Sequence, residues 1–155
     1  MIMAAAILML AACKKEGATI TLPLSNSLQS DPDPKPTTAC GGYLFYGTFS
    51  LIGKVQGKGV SQTCTYNADN TQLAITADDI TYAENGEELW TKSSIVITFP
   101  TDGTAIATIT GGATITGGTG RFKGATGYLI YENMVYNLVT GHESHTSHGK
   151  ITLIK

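Results

Sequence analysis

The sequence predicts an all-β protein, and three observations lead there. Charged residues make up 14% of the 155-residue chain and hydrophobic ones 42%, with 18 glycines and abundant threonine. That mixture suits strands and turns and lacks the Glu and Lys that usually cover surface helices. No segment places apolar residues at i, i+3, i+4 and i+7 over three turns, the spacing an amphipathic helix requires. Short runs of β-branched and aromatic residues recur instead, punctuated by Gly, Asn and Asp. One domain that must close on itself is then a sandwich or a barrel.

The front of the chain is an address rather than a strand. Residues 1–12 are an apolar run, too short to span a bilayer and of the length of a signal segment. It ends in Leu10-Ala11-Ala12-Cys13, followed abruptly by Lys14-Lys15-Glu16. This resembles the lipobox of bacterial lipoprotein precursors. Small Ala11 and Ala12 suit a signal peptidase, and the Cys13 thiol is where acyl chains attach; two or more chains anchor durably where one does not. No Lys or Arg precedes the apolar run, a departure that points to an upstream start codon and a missing basic segment. The resemblance implies a cell-envelope protein held to a membrane through Cys13, with its domain outside the cytoplasm.

Residues 13–38 are assigned to a tether. They hold four of the five prolines, three of them alternating in Pro32-Asp33-Pro34-Lys35-Pro36, which favours an extended, semi-rigid spacer. Residues 19–24 have strand character but are left in this tether. The domain proper is placed at 39–155. With Cys13 acylated, Cys40 and Cys64 remain as an even pair in an oxidising compartment and are expected to form a disulfide. Two buried free thiols in neighbouring strands are the alternative.

About nine short strands follow by pattern: 43–52, 54–66, 72–82, 88–99, 104–110, 113–116, 125–131, 134–140 and 149–154. Gly57 and Gly59 suggest a bulge or bend in the second of them. Asn85-Gly86 between apolar runs is a strong hairpin signal. Ile95, Ile97 and Phe99 share one face. The repeat Ala107–Gly112 and Ala113–Gly118 has a six-residue period, but two copies are too few to stack a solenoid, so it is read as two adjoining strand ends.

The segment Thr116-Gly117-Gly118-Thr119-Gly120-Arg121-Phe122-Lys123-Gly124-Ala125-Thr126-Gly127 resembles the glycine-rich signature of the allene oxide cyclase and dirigent proteins. The resemblance implies an antiparallel β-barrel of about eight strands, preferred here over a sandwich, and raises a homotrimer as a possible assembly. It makes Gly117, Gly118, Gly120, Gly124 and Gly127 residues of a structural turn, with Phe122 plugging a barrel end and Arg121 capping carbonyls or pairing with a carboxylate. The family's catalytic residues lie on strands that do not align here, so no catalytic residue is transferred.

Net charge is −2, with no basic block to hold phosphates, which argues against nucleic acid. Neither a Gly-x-Ser-x-Gly elbow nor a phosphate-cradling loop occurs. His142, His145 and His148 sit in 141–149 with Glu143; they bind metal only if that segment is a loop, and the preferred reading is a polar hairpin loop with no metal or cofactor. Asp78, Asp79, Glu84, Glu87 and Glu88 are read as a solvated hairpin tip. Two function classes result. One is a non-enzymatic envelope lipoprotein whose barrel binds a small hydrophobic ligand or a protein, which the residues favour. The other is a barrel enzyme steering a reactive intermediate, whose mark would be an open pocket joining a carboxylate, an Arg and a Tyr.

Overall fold

The computed structural model describes residues 17–155, so Cys13 lies outside the described residues. The chain forms β1 (Thr19–Pro32), β2 (Gly42–Phe49), β3 (Gly53–Tyr66), β4 (Gln72–Ala83), β5 (Glu88–Thr98), β6 (Ile106–Gly118), β7 (Thr126–Asn137) and β8 (Glu143–Ile154). Every strand pairs antiparallel with its chain neighbours, and β1 pairs with β8, closing an eight-stranded barrel. The sandwich is thereby set aside. Closure leaves no strand edge unpaired.

Alternation of inward and outward side chains builds the wall. In β5, Leu89, Thr91, Ser93, Ile95 and Ile97 point inward while Trp90, Lys92 and Ser94 face out. β1 follows the same rule with Leu24, Asn26, Leu28 and Ser30 buried. The tether therefore cannot extend to residue 38: Thr19–Pro32 is a full barrel strand. Polar Asn26 and Ser30 at inward positions mask its period-two signal, and its two prolines are tolerated because Pro23 lies outward and exposed and Pro32 ends the strand.

Two other boundaries differ from expectation for one reason. Segments 104–110 and 113–116 fuse into β6, and 125–131 and 134–140 fuse into β7. Each fused strand absorbs a register irregularity where the pattern broke: between Ile109 and Gly112 against β7, and between Glu132 and Val135 against β8, beside Asn133 at φ 51°. Segment 141–149 is not a hairpin loop, since β8 already begins at Glu143.

The two barrel ends differ. At one end, the turns 50–52, 84–87 and 119–125 meet, and a single 3-10 turn, Gly120–Phe122, drops the Phe122 ring inside. Phe122 is 2% exposed and packs in a cluster with Leu24, Leu89, Ile115, Ala125 and Ile151. Gly120 and Gly124 stand at φ 54° and 70°, which lets the turn double back. Arg121 pairs with a carboxylate, its Nε lying 2.9 Å from Glu87 Oε2, while its backbone N–H donates to Glu87 Oε1 at 2.8 Å. At the other end the loops 33–41, 67–71, 99–105 and 138–142 form an open rim. Cys40 and Cys64 are disulfide-bonded there, with Cα atoms 5.6 Å apart. A loop of that length stabilises by about 3 kcal/mol on the chain-entropy model, and it ties the segment ahead of β2 to the end of β3.

Candidate functional site: a polar chamber below an apolar mouth

The open end leads into a cavity of about 450 Å³. Its walls are apolar, with Leu73 and Ile75 from β4, Ile95 and Ile97 from β5, and Phe99 beyond it. Tyr66 stacks on Phe99 at 6.1 Å between ring centroids, extending the apolar lip. The floor changes character: Ser30, Tyr43 and Glu143 line the mouth and also line a narrower chamber of about 40 Å³ at mid-barrel. That chamber adds Asn26, Asp79, Thr91, Ser93, Tyr131 and His145.

Asp79 is the centre of the chamber. Alternation along β4 sends Ala77, Asp79, Thr81 and Ala83 inward and leaves Asp78 outside near Lys92. The reading of Asp79 as part of a solvated hairpin tip is therefore corrected: it is 6% exposed. Tyr43 donates its hydroxyl hydrogen to Asp79 Oδ1 at 2.5 Å, and Thr91 donates to Oδ2 at 3.2 Å. Burial raises the Asp79 carboxyl to about 6, although the hydrogen bonds from Tyr43, Ser93 and Thr91 pull the other way. Burial, then the nearby Asp79 charge, likewise pushes the Tyr43 phenol well above its ordinary range. Tyr131 is raised by burial and by the Asp79 and Glu143 charges.

A missing side chain makes this contact possible. Tyr43 pairs across the ladder with Gly59, and Phe45 with Gly57. A Cβ on Gly59 would stand 2.2 Å from Tyr43 Cζ and 2.5 Å from Asp79 Oδ1. Gly57 and Gly59 thus admit the two β2 rings rather than forming a bulge, and the irregularity of β3 falls between Ser61 and Thr63. Gly59→Ala is expected to destabilise by roughly 1–3 kcal/mol through overpacking and to break the Tyr43–Asp79 hydrogen bond. Tyrosine absorbance during alkaline titration tests this. A Tyr43 phenol ionising at the same high pH in both proteins would refute the role given to Gly59.

The histidines separate. His145 points inward on β8, its side chain 8% exposed, with its ring tilted against Tyr131 at 4.8 Å. Its Nδ1 lies 3.1 Å from Glu143 Oε1. A carboxylate only accepts, so Nδ1 carries the hydrogen, and in the neutral ring Nε2 then presents a lone pair. Nε2 is buried with no hydrogen-bond partner among the described residues. His142 meets Asp31 at the rim at 2.9 Å, and His148 meets Glu132 on the outer surface at 3.2 Å. Among the described residues no three His, Cys, Asp or Glu side chains converge on one point.

No family model, curated protein or solved structure matches this chain. The chemistry of the site thus rests on its own geometry. The chamber is rich in acceptors: two carboxylates, the His145 lone pair and the unpartnered Asn26 Oδ1. Hydroxyls of Ser30, Tyr43, Thr81, Thr91, Ser93 and Tyr131 also line it, and those of Tyr43, Ser93 and Thr91 are already given to Asp79. The only arginine, Arg121, sits at the plugged end against Glu87, so carboxylate and tyrosine meet here without a guanidinium. Sequence reasoning missed Asp79, Tyr43 and the inward aim of His145. Period two from Ala77 to Ala83 was the available signal for Asp79.

Proposed function

We propose that this protein is an envelope lipoprotein, anchored through Cys13, whose non-enzymatic barrel takes up a small, largely apolar ligand through its open end. The observation that carries the reading is the mouth. At about 450 Å³ with hydrophobic walls and a few convergent polar groups, it has the size and make-up of ligand sites, which typically run to roughly 300–1,000 Å³. The abrupt change from an apolar run to Cys13-Lys14-Lys15 supports the anchor.

Titration of the purified domain with the neutral fluorescent probe N-phenyl-1-naphthylamine tests the binding half. Saturable single-site enhancement is expected, abolished by Ile75→Trp, which fills the mouth. A linear, unsaturated response identical in the two proteins would overturn it. Mass spectrometry of the mature N-terminus, from a precursor expressed with its upstream start, tests the anchor; an unmodified Cys13 would remove it.

One observation favours the second reading, a barrel enzyme acting on a reactive intermediate. Burial pushes the Asp79 carboxyl up to about 6, and it already accepts a hydrogen bond from a phenol, which suits general acid–base work. The lack of an arginine in the chamber weighs against it, because a developing anion would meet two carboxylates and no cation.

A further inference from the structure

We infer that the ligand of this barrel carries a protonated amine on an apolar body, with the amine seated in the mid-barrel chamber. The inference rests on the ligand-binding reading above and names the chemistry of the head group.

The hydrogen-bond inventory of the chamber comes first. His145 is more than nine-tenths buried and lines the chamber, its Nδ1 hydrogen is committed to Glu143, and its buried Nε2, an acceptor in the neutral ring, has no partner among the described residues. Asn26 Oδ1 is buried on the same lining and also lacks a donor. Buried acceptors left unmatched are costly, so a ligand that supplies donors gains what the folded chain forgoes. An alkylammonium brings three donors and no acceptor. A hydroxyl brings one, and a carboxylate brings none.

Charge points the same way. Asp79 and Glu143 line the chamber, while no Lys or Arg lines either it or the mouth. Two acidic groups in a poorly hydrated space repel an anion and attract a cation. Tyr43, Phe45 and Tyr131 line the same space, and aromatic rings attract an ammonium that reaches a face. The shape matches as well: about 40 Å³ admits a head group of a few heavy atoms, and the adjoining mouth of about 450 Å³ takes the apolar remainder.

The test is displacement of bound N-phenyl-1-naphthylamine at pH 7.5 by decylamine, decanol and decanoate, each kept below its aggregation limit. Decylamine is expected to bind at least about tenfold more tightly than decanol, as truncating a buried charge contact usually costs that much or more, with decanoate weakest. Asp79→Asn and Glu143→Gln should each shrink the ratio of amine to alcohol affinity, a ratio taken within each variant and so independent of how tightly that variant holds the neutral probe. Equal displacement by amine and alcohol, or a preference that survives both substitutions, overturns the head-group assignment and leaves the apolar mouth standing. A preference for decanoate does the same. Failure of the neutral probe itself to bind removes the underlying reading and this one with it.

Discussion

Phe122→Ala is expected to lower the unfolding free energy by roughly 3 kcal/mol or more, the range of large-to-small changes at buried aromatic positions. Phe122 closes one barrel end by itself, 2% exposed, against Leu24, Leu89, Ile115 and Ile151. The Arg121 guanidinium lies over its ring at 4.9 Å to the centroid, so the aromatic face does more than fill space. Collapse around the void is hard, because the turn is pinned by Ala125 N–H donating to Phe122 O and by the Glu87 bonds to Arg121. Urea unfolding measures the effect, with a melting-temperature drop of roughly 10 °C as the thermal counterpart. Probe affinity of the folded variant should match that of the parent, since the mouth is at the opposite end. An unchanged urea midpoint would show that the end is closed without Phe122.

Asp79→Asn is expected to raise stability at pH 7.5 and to flatten its pH dependence. The folded-state carboxyl titrates at about 6, against roughly 3.9 in an unfolded chain. The folded form therefore binds the proton more tightly, and stability falls as pH rises from about 4 through 6. A gap of about two units corresponds to ~3 kcal/mol lost above pH 6 relative to acid. Asparagine does not ionise and keeps an acceptor for the Tyr43 hydroxyl, but it weakens the Thr91 contact by about 1 kcal/mol. The variant should then gain roughly 1–3 kcal/mol at pH 7.5 and lose that advantage by pH 4.5. Comparing the difference between the two proteins at the two pH values isolates Asp79 from other titrating groups. A constant difference would mean that Asp79 is solvated and free of any burial penalty. A carboxylate that weakens its own fold is the kind of residue retained for what it contacts.

The all-β class was legible because short β-branched and aromatic runs recur with few charges and no helical periodicity, and the eight-stranded barrel because of what the glycine-rich segment 116–127 resembles. The glycine-rich turn was legible in part: Phe122, its one large apolar residue, needs an interior, and Gly120 and Gly124 lie in the turn, whereas Gly117 and Gly118 end β6 and Gly127 lies in β7. Legibility failed in the middle third of the barrel, where the inner wall is polar. Asn26 and Ser30 made β1 read as a tether, Glu143 and His145 made the start of β8 read as a loop, and Asp79 was read with its outward neighbour Asp78. Local pattern and fold disagree at the positions that line the chamber, which is where function competes with core building.

The strand missed in the sequence also sets the direction of approach. β1 begins at Thr19 beside the end of β8, on the rim that Phe122 plugs. Five residues lie between Cys13 and Thr19, a reach of at most about 20 Å even when fully extended. On the proposed anchor at Cys13, the plugged rim stays within that reach of the lipid headgroups. The 14 residues of β1, tilted as barrel strands are, carry the opposite rim roughly 35 Å further out. On that proposed arrangement a molecule entering this barrel would come from the water side, head group first, away from the bilayer.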